Sequence, residues 1–260
     1  MGVQWLNMRV VEALITDAQQ RVRDSGARIL TVSVGPFWIV VHTSVGAGMA
    51  STMAAEARPH EGYPVTEAGH IHRRSPMELT HLLRSQSPTE AAVGLATINA
   101  LIGSPEGVVS TEKALGILLE RGRGRRVAMI GRFPFAESLR PVCDQLLVFE
   151  RGSATTQGDH TAVEMPQLLP SAESVAITAP TLLNGTLDHV LEHVAPDAWT
   201  MMLGPSTPMT PCLFKRGFHA LCGTVIEDVE SVRAAVTQGA VTKQIDGVRR
   251  LCLWRGPVMD

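Results

Sequence analysis

Four short apolar runs decide the fold: Arg126-Val-Ala-Met-Ile130, Leu146-Leu-Val-Phe149, Ser174-Val-Ala-Ile-Thr178 and Trp199-Thr-Met-Met-Leu203. Each is too short for a helix and lacks the strict alternation of a strand with one wet face. Such runs read as strands of a parallel sheet covered on both sides. Ala220-Leu221-Cys222 reads as a further strand, and helices are expected over Phe135–Val142, Leu187–His193 and Glu227–Gln238. Strands alternating with helices give a doubly wound α/β arrangement.

Upstream the pattern differs. Residues 8–23 place Val10, Val11, Leu14, Ile15, Ala18 and Val22 on one helical face. Two apolar stretches between Ile29 and Val41, broken by Gly35-Pro36, read as strands. Val45-Gly-Ala-Gly-Met-Ala50 is read as close sheet packing, because a GxG without a third glycine or a following helix is poor grounds for a phosphate loop. Glu56–Arg74 is polar and reads as a loop. Ser75-Pro-Met-Glu78 and Ser87-Pro-Thr-Glu90 are helix starts, each with a capping serine and proline at the first helical position. The second opens a nearly all-apolar helix through Ile102 whose polar exception, Asn99, must find partners if buried. Residues 111–122 read as a helix joining the two parts.

The 260 residues are 45% hydrophobic and 18% charged, with a formal net charge of −2. That composition supports real cores and provides no global basic field for nucleic acid, so no nucleic-acid partner is expected. The cluster Arg121–Arg126 reads as a solvated linker. No run of about 18 apolar residues is present, so no membrane span is expected, and the amino terminus lacks the pattern of a secretory signal. Cys143, Cys212, Cys222 and Cys252 are far apart in sequence without a CxxC, so free thiols in a reducing cytoplasm are expected.

Function is sought where parallel strands end, because successive carboxyl ends lie side by side and bring distant loops together. Those ends supply Gly131, Arg132, Phe133 and Pro134, then Glu150, then Thr181, Asn184 and Thr186, then Gly204, Ser206 and Thr207. Gly131 permits a tight turn, and Arg132 or nearby backbone N–H groups could meet an anion. Glu150 stands about 20 residues after that turn, where dinucleotide-binding folds place an acid on a ribose hydroxyl; a surface carboxylate paired with Arg126 or Arg151 is the other reading. Pro205, Pro208 and Pro211 stiffen the loop that carries Ser206 and Thr207. His189 and His193 have metal-ligand spacing on one helix but no HExxH, and they read as solvated, as do His70 and His72 in their polar loop.

The blocks VGLATINALI (93–102), VAMIGRFPF (127–135), LLVFER (146–151), LLPSAESVAIT (168–178), TLLNGTLDHVLE (181–192) and LGPSTPMTPCLFKRGFHALCG (203–223) closely resemble the DUF364 family with its DUF4213 amino-terminal region, labelled "putative heavy-metal chelation". TVSVGPFWIVVHTSVGAGMAST (31–52) matches the amino-terminal region more loosely. The resemblance implies an α/β protein: an enolase N-terminal-like α+β domain over residues 1–108, then a Rossmann-like parallel-sheet domain over 109–260. It implies a site in the cleft between them, bringing Asn99 and His42 against the strand-end loops. The function it implies is binding of a metal or metal chelate there, with a divalent transition metal as cofactor and His42 and Glu150 as metal candidates. The alternative is a small-molecule enzyme using a nucleotide-like cofactor or substrate in the same cleft. A cytoplasmic location is expected, and self-association into a homo-oligomer is left open.

Overall fold

The computed structural model describes residues 9–53, 64–151 and 159–256. The helix α1 (Val10–Val22) buries Val10, Leu14, Ile15, Ala18 and Val22, the face expected from its spacing. Met8 lies outside the described residues, as does the stretch 56–63 of the expected polar loop. Strands β1 (Ile29–Val34), β2 (Trp38–Thr43) and β3 (Gly46–Ser51) form an antiparallel meander, with Gly35-Pro36 at its first turn. Helix α2 (Pro76–Thr80) opens on a complete capping box between Ser75 and Glu78, and α3 (Pro88–Ile102) opens on Ser87, whose hydroxyl accepts from Glu90 N–H. α3 lies directly on β3. A Cβ added to Gly48 would stand 2.3 Å from the Ala100 nitrogen and 2.4 Å from the Ala96 carbonyl oxygen, so glycine sets the helix-to-strand distance.

The second sheet has seven strands: β4 (Val108–Ser110), β5 (Arg126–Ile130), β6 (Gln145–Phe149), β7 (Ser174–Thr178), β8 (Trp199–Leu203), β9 (Ala220–Ile226) and β10 (Val248–Trp254), in the order β4-β10-β9-β8-β7-β5-β6. From β6 through β9 all pairings are parallel. Both faces are buried: Ala128, Ile130, Val175, Ile177 and Met202 pack on one side, and Val127, Met129, Ala176, Met201 and Leu203 on the other. The second side is covered by α4 (Ala114–Arg121) through Ile117 and Leu118. The first is covered by α5 (Met165–Leu168) and α6 (Leu187–His193), and α7 (Val229–Thr237) packs against β1 and β2.

Three expectations need correction. Phe135–Val142 is a 3-10 turn over Ala136–Ser138 followed by irregular turns. Pro141 has no N–H to give the Glu137 carbonyl, so an α-helix could not continue there. The sheet also has an antiparallel edge that was not foreseen, β10 against β9 and β4 against β10. Arg249 and Arg250 are exposed in the first half of β10, which blurs its apolar signature, and β4 is only three residues long. Finally, two of the four cysteines are not free: register pairs Cys222 of β9 with Cys252 of β10, and they form a disulfide.

Candidate functional site

Strand order fixes what meets at the carboxyl edge. The tips of β6, β5, β7 and β8 are consecutive neighbours, about 4.8 Å apart, so Glu150 and Gly204 stand roughly 14 Å from one another. The chain steps from β5 outward to β6, then back across to β7, which makes β5/β7 the point where strand order reverses. Ligands in open α/β sheets bind outside such a point. Gly131 occupies it with φ +89°, and a Cβ there would stand 2.7 Å from Thr178 Cγ2. No other residue type fits the turn without moving Thr178.

Glu150 closes this turn. Its Oε2 accepts from Arg132 N–H at 2.7 Å and its Oε1 from Arg151 N–H at 2.8 Å. The Arg132 guanidinium is held by Asp159, with Nε 3.2 Å from Oδ2 and Nη2 on Oδ1, and by Glu137 at 3.2 Å. The carboxylate of Asp159 is fully buried. Hydrogen bonding to Asp159, then to Glu137, raises the Arg132 pKa further above its ordinary value. Both the N–H and the side chain of Arg132 thus answer acids of the same chain, which fix the guanidinium beside the turn while one N–H on each Nη stays outside these contacts. Phe133 stacks on Phe135 with centroids 5.4 Å apart, and Pro134 between them is exposed. Beside β6, His160 pairs with Glu164 at 3.0 Å. The Thr161 N–H and then His160 hold the Glu164 carboxyl down at about 2.

At the tip of β7 the hydroxyl of buried Thr181 donates to the Thr178 carbonyl at 2.7 Å. Asn184 Oδ1 accepts from Thr186 N–H at 3.2 Å and from its hydroxyl at 2.7 Å. These are local turn bonds. The Asn184 amide nitrogen, half-buried, has no partner among the described residues.

The Gly204–Thr210 loop has a different surrounding. Ser206 is 1% exposed, and its Oγ accepts from Ser51 N–H of β3 at 2.8 Å. Asn99 Nδ2 donates to the Met49 and Ser206 carbonyls, at 3.0 Å each. The Thr210 hydroxyl donates to Asp17 of α1 at 2.8 Å and accepts from Arg21. Thr207 is buried as well, its hydroxyl without a partner among the described residues. Asn99, Ser206 and Thr210 therefore belong to a seam that fastens the first sheet and its helices onto the loop that follows β8. Beside the seam a hollow of about 180 Å³ is lined by residues including Met49, Pro205, Thr224, Ile245 and Arg250. Much of that space is open to solvent, and the hollow has essentially no enclosed room even for a water molecule. Ser51, Asp17, Arg21 and Asp159 escaped the sequence reading, because nothing in their local spacing marks their distant partners.

His42 sits half-buried in β2 opposite Thr31 and Ala47. Among the described residues no group of three or more His, Cys, Asp or Glu side chains could hold a metal ion. His189 and His193 form an edge-to-face ring pair with centroids 4.7 Å apart, and His189 lies 3.6 Å from the Glu192 carboxylate. The buried Nε2 of His193, without a hydrogen-bond partner among the described residues, is not solvated as expected.

Comparison with known proteins bears on both halves of the chain. Residues 113–255 match the DUF364 family and residues 15–102 the DUF4213 family, both described as "Putative heavy-metal chelation". An uncharacterised protein of Methanocaldococcus jannaschii is 28% identical over 188 residues, which is 70% of this chain and 71% of that one. A crystal structure of a DUF364-family protein of unknown function from Desulfitobacterium hafniense superposes with a TM-score of 0.81 at 22% identity, covering 95% of this chain and 98% of the other. One from Pyrococcus horikoshii gives 0.79 at 18%, covering 94% and 99%. At these identities the two structures speak for the fold alone.

Proposed function

The chain belongs to the DUF364 family, and from that premise we propose that it binds a polar, hydroxyl-bearing small molecule, or a metal chelate presenting such groups, at the β5/β7 switch point. The observation that carries this reading is the Glu150 carboxylate. Two backbone N–H groups fix it there, and an ionised carboxylate has about four acceptor sites, so two remain for ligand hydroxyls. Gly131, Phe133 and Pro134 would shape the floor, and the free Asn184 amide would donate to a ligand acceptor. Residues 1–108 would serve as the part that seals the seam, and residues 109–260 as the part that carries the ligand.

A bare heavy-metal ion fits these groups poorly. The strand-tip donors are carboxylate, hydroxyl and amide oxygens, suited to hard cations, whereas soft metals take thiolate and imidazole. A metal handled at this edge would arrive inside an organic chelate that supplies its ligands. The Lewis acidity or redox chemistry would then be the chelate's own, and the protein would hold its periphery.

The test is a thermal-shift and calorimetric screen with adenosine-type cofactors, nucleotides, pterins and chelates of nickel, cobalt and iron, with the free ions alongside. A hit should lose roughly tenfold to a hundredfold in affinity in Glu150→Ala, the scale of one charge-assisted hydrogen bond. Unchanged affinity in that variant would remove Glu150 from the site. Tight binding of a free ion that Glu150→Ala leaves intact would move the metal elsewhere in the molecule.

A further inference from the structure

Four cysteine sulfurs are the thiolate-forming donors of this chain, and the sheet brings two of them together. Cys222 and Cys252 are register partners on adjacent antiparallel strands, with Cα atoms 4.0 Å apart. They are 7% and 2% exposed. Their surroundings are apolar, in one cluster with Leu203, Ala220, Ile117 and Leu118. The Glu112 carbonyl oxygen lies 3.4 Å from Cys252 Sγ. Cys143 and Cys212 are free, and burial, ahead of the nearby Asp17 charge, pushes the Cys212 thiol up to about 12.

We propose that the reduced Cys222–Cys252 pair is a two-coordinate site for a soft divalent cation of the mercuric type. Thiolates are the ligands such cations prefer. The strands fix two of them face to face, and no third His, Cys, Asp or Glu among the described residues joins them. Cations that require four ligands, such as zinc, are therefore not satisfied. The apolar walls select on charge as well. Two thiolates and a divalent cation sum to zero, whereas a monovalent cation would leave a net negative charge buried, which is costly.

The chemistry balances with one co-reactant, a dithiol reductant. The dithiol gives two electrons and two protons to the disulfide and becomes a disulfide itself, leaving two thiols on the protein. The cation then displaces both thiol protons and forms two sulfur–metal bonds without changing oxidation state. The disulfide form has no thiolate to offer and binds nothing, so oxidation closes the site. This site lies on β9 and β10, away from Glu150, and either can fail without the other.

The experiment uses the full chain carrying Cys143→Ser and Cys212→Ser, reduced and freed of reductant, given one equivalent of mercuric ion in excess monothiol. Native mass spectrometry after removal of the excess monothiol should show one ion bound with loss of two protons. The oxidised chain should bind none. Adding Cys222→Ser or Cys252→Ala should abolish retention, because a single thiolate has no effective-concentration advantage over the competing monothiol. Silver(I) should be retained less well than mercuric ion. Retention by the single-thiol variants equal to the parent, or no ion held by the reduced parent, would overturn the proposal. If the serine background does not fold by circular dichroism, the wild-type chain gives the same comparison, since monothiol strips any ion held by Cys143 or Cys212 alone.

Discussion

Replacing Ser206 by alanine removes one acceptor from the seam and little else. The lost bond is the 2.8 Å contact from Ser51 N–H, at a position 1% exposed. A buried donor left without its acceptor costs about 1–3 kcal/mol. Ser51 is only half-buried, so water recovers part of that, and the lower half of the range, about 1–2 kcal/mol, is expected. In a chain of this size one kcal/mol moves the melting temperature by about 2–4 °C, so Ser206→Ala should melt about 2–8 °C below wild type. Asn99→Ala should cost more, since it removes two bonds, to Met49 and to Ser206 itself. Because Asn99 and Ser206 touch, the double variant should depart from additivity by about 0.5–3 kcal/mol. Urea unfolding followed by far-ultraviolet circular dichroism measures all three, and titration with any screening hit supplies the second axis. A Ser206→Ala protein with the wild-type midpoint but reduced ligand affinity would refute the seam and return Ser206 to the ligand.

Gly48→Ala drives a methyl group into the backbone of α3, which cannot rotate away, and should lower stability by about 1–3 kcal/mol or more; a wild-type urea midpoint would contradict the packing described. Glu164 has its folded pKa held at about 2 against an ordinary 4.5, so its contribution is fully present above pH 4.5 and is lost as pH falls toward 2. Glu164→Gln should therefore flatten the fall in stability across that window, and an acid limb identical to wild type would show the interaction to be absent. The Cys212 thiol, buried and held near 12, should resist alkylation at pH 8 in the native reduced protein and react once urea unfolds it. Labelling at the rate of an exposed thiol would place it at the surface.

Much of the architecture was legible because its signals are local. Continuous apolar runs gave β5 through β8, 3.6-residue spacing gave α1, and serine–proline starts gave α2 and α3. The antiparallel edge was not, since β10 loses its period at Arg249 and Arg250, and pairing of β10 with β9 is a property of the whole chain. The disulfide was hidden for the same reason: thirty residues separate its cysteines in sequence, and only register makes them neighbours. The candidate residues divide in the same way. That Gly131 needs a positive φ and that Glu150 follows the next strand could be read locally. That Ser206 faces Ser51 and Arg132 faces Asp159 depends on how distant segments dock.

The seam also shapes what the switch point can hold. Three prolines fix the course of residues 205–211, and the first sheet and its helices seal that loop through Ser51 of β3, Asn99 of α3 and Asp17 of α1. The carboxyl edge is consequently divided: the tip of β8 and the loop after it are buried in protein contacts, and the tips of β7, β5 and β6 carry the half-buried groups Asn184, Gly131 and Glu150. A ligand at β5/β7 would meet a fixed wall on its β8 side and the acid on its β6 side, a span of roughly two to three strand spacings, about 10–14 Å. That length suits a molecule about the size of a nucleoside laid across the tips better than a single ion. It follows that substitutions in the seam should alter ligand affinity only by displacing the wall, with losses that track their losses of stability, whereas Glu150→Ala should cost affinity out of proportion to its effect on folding.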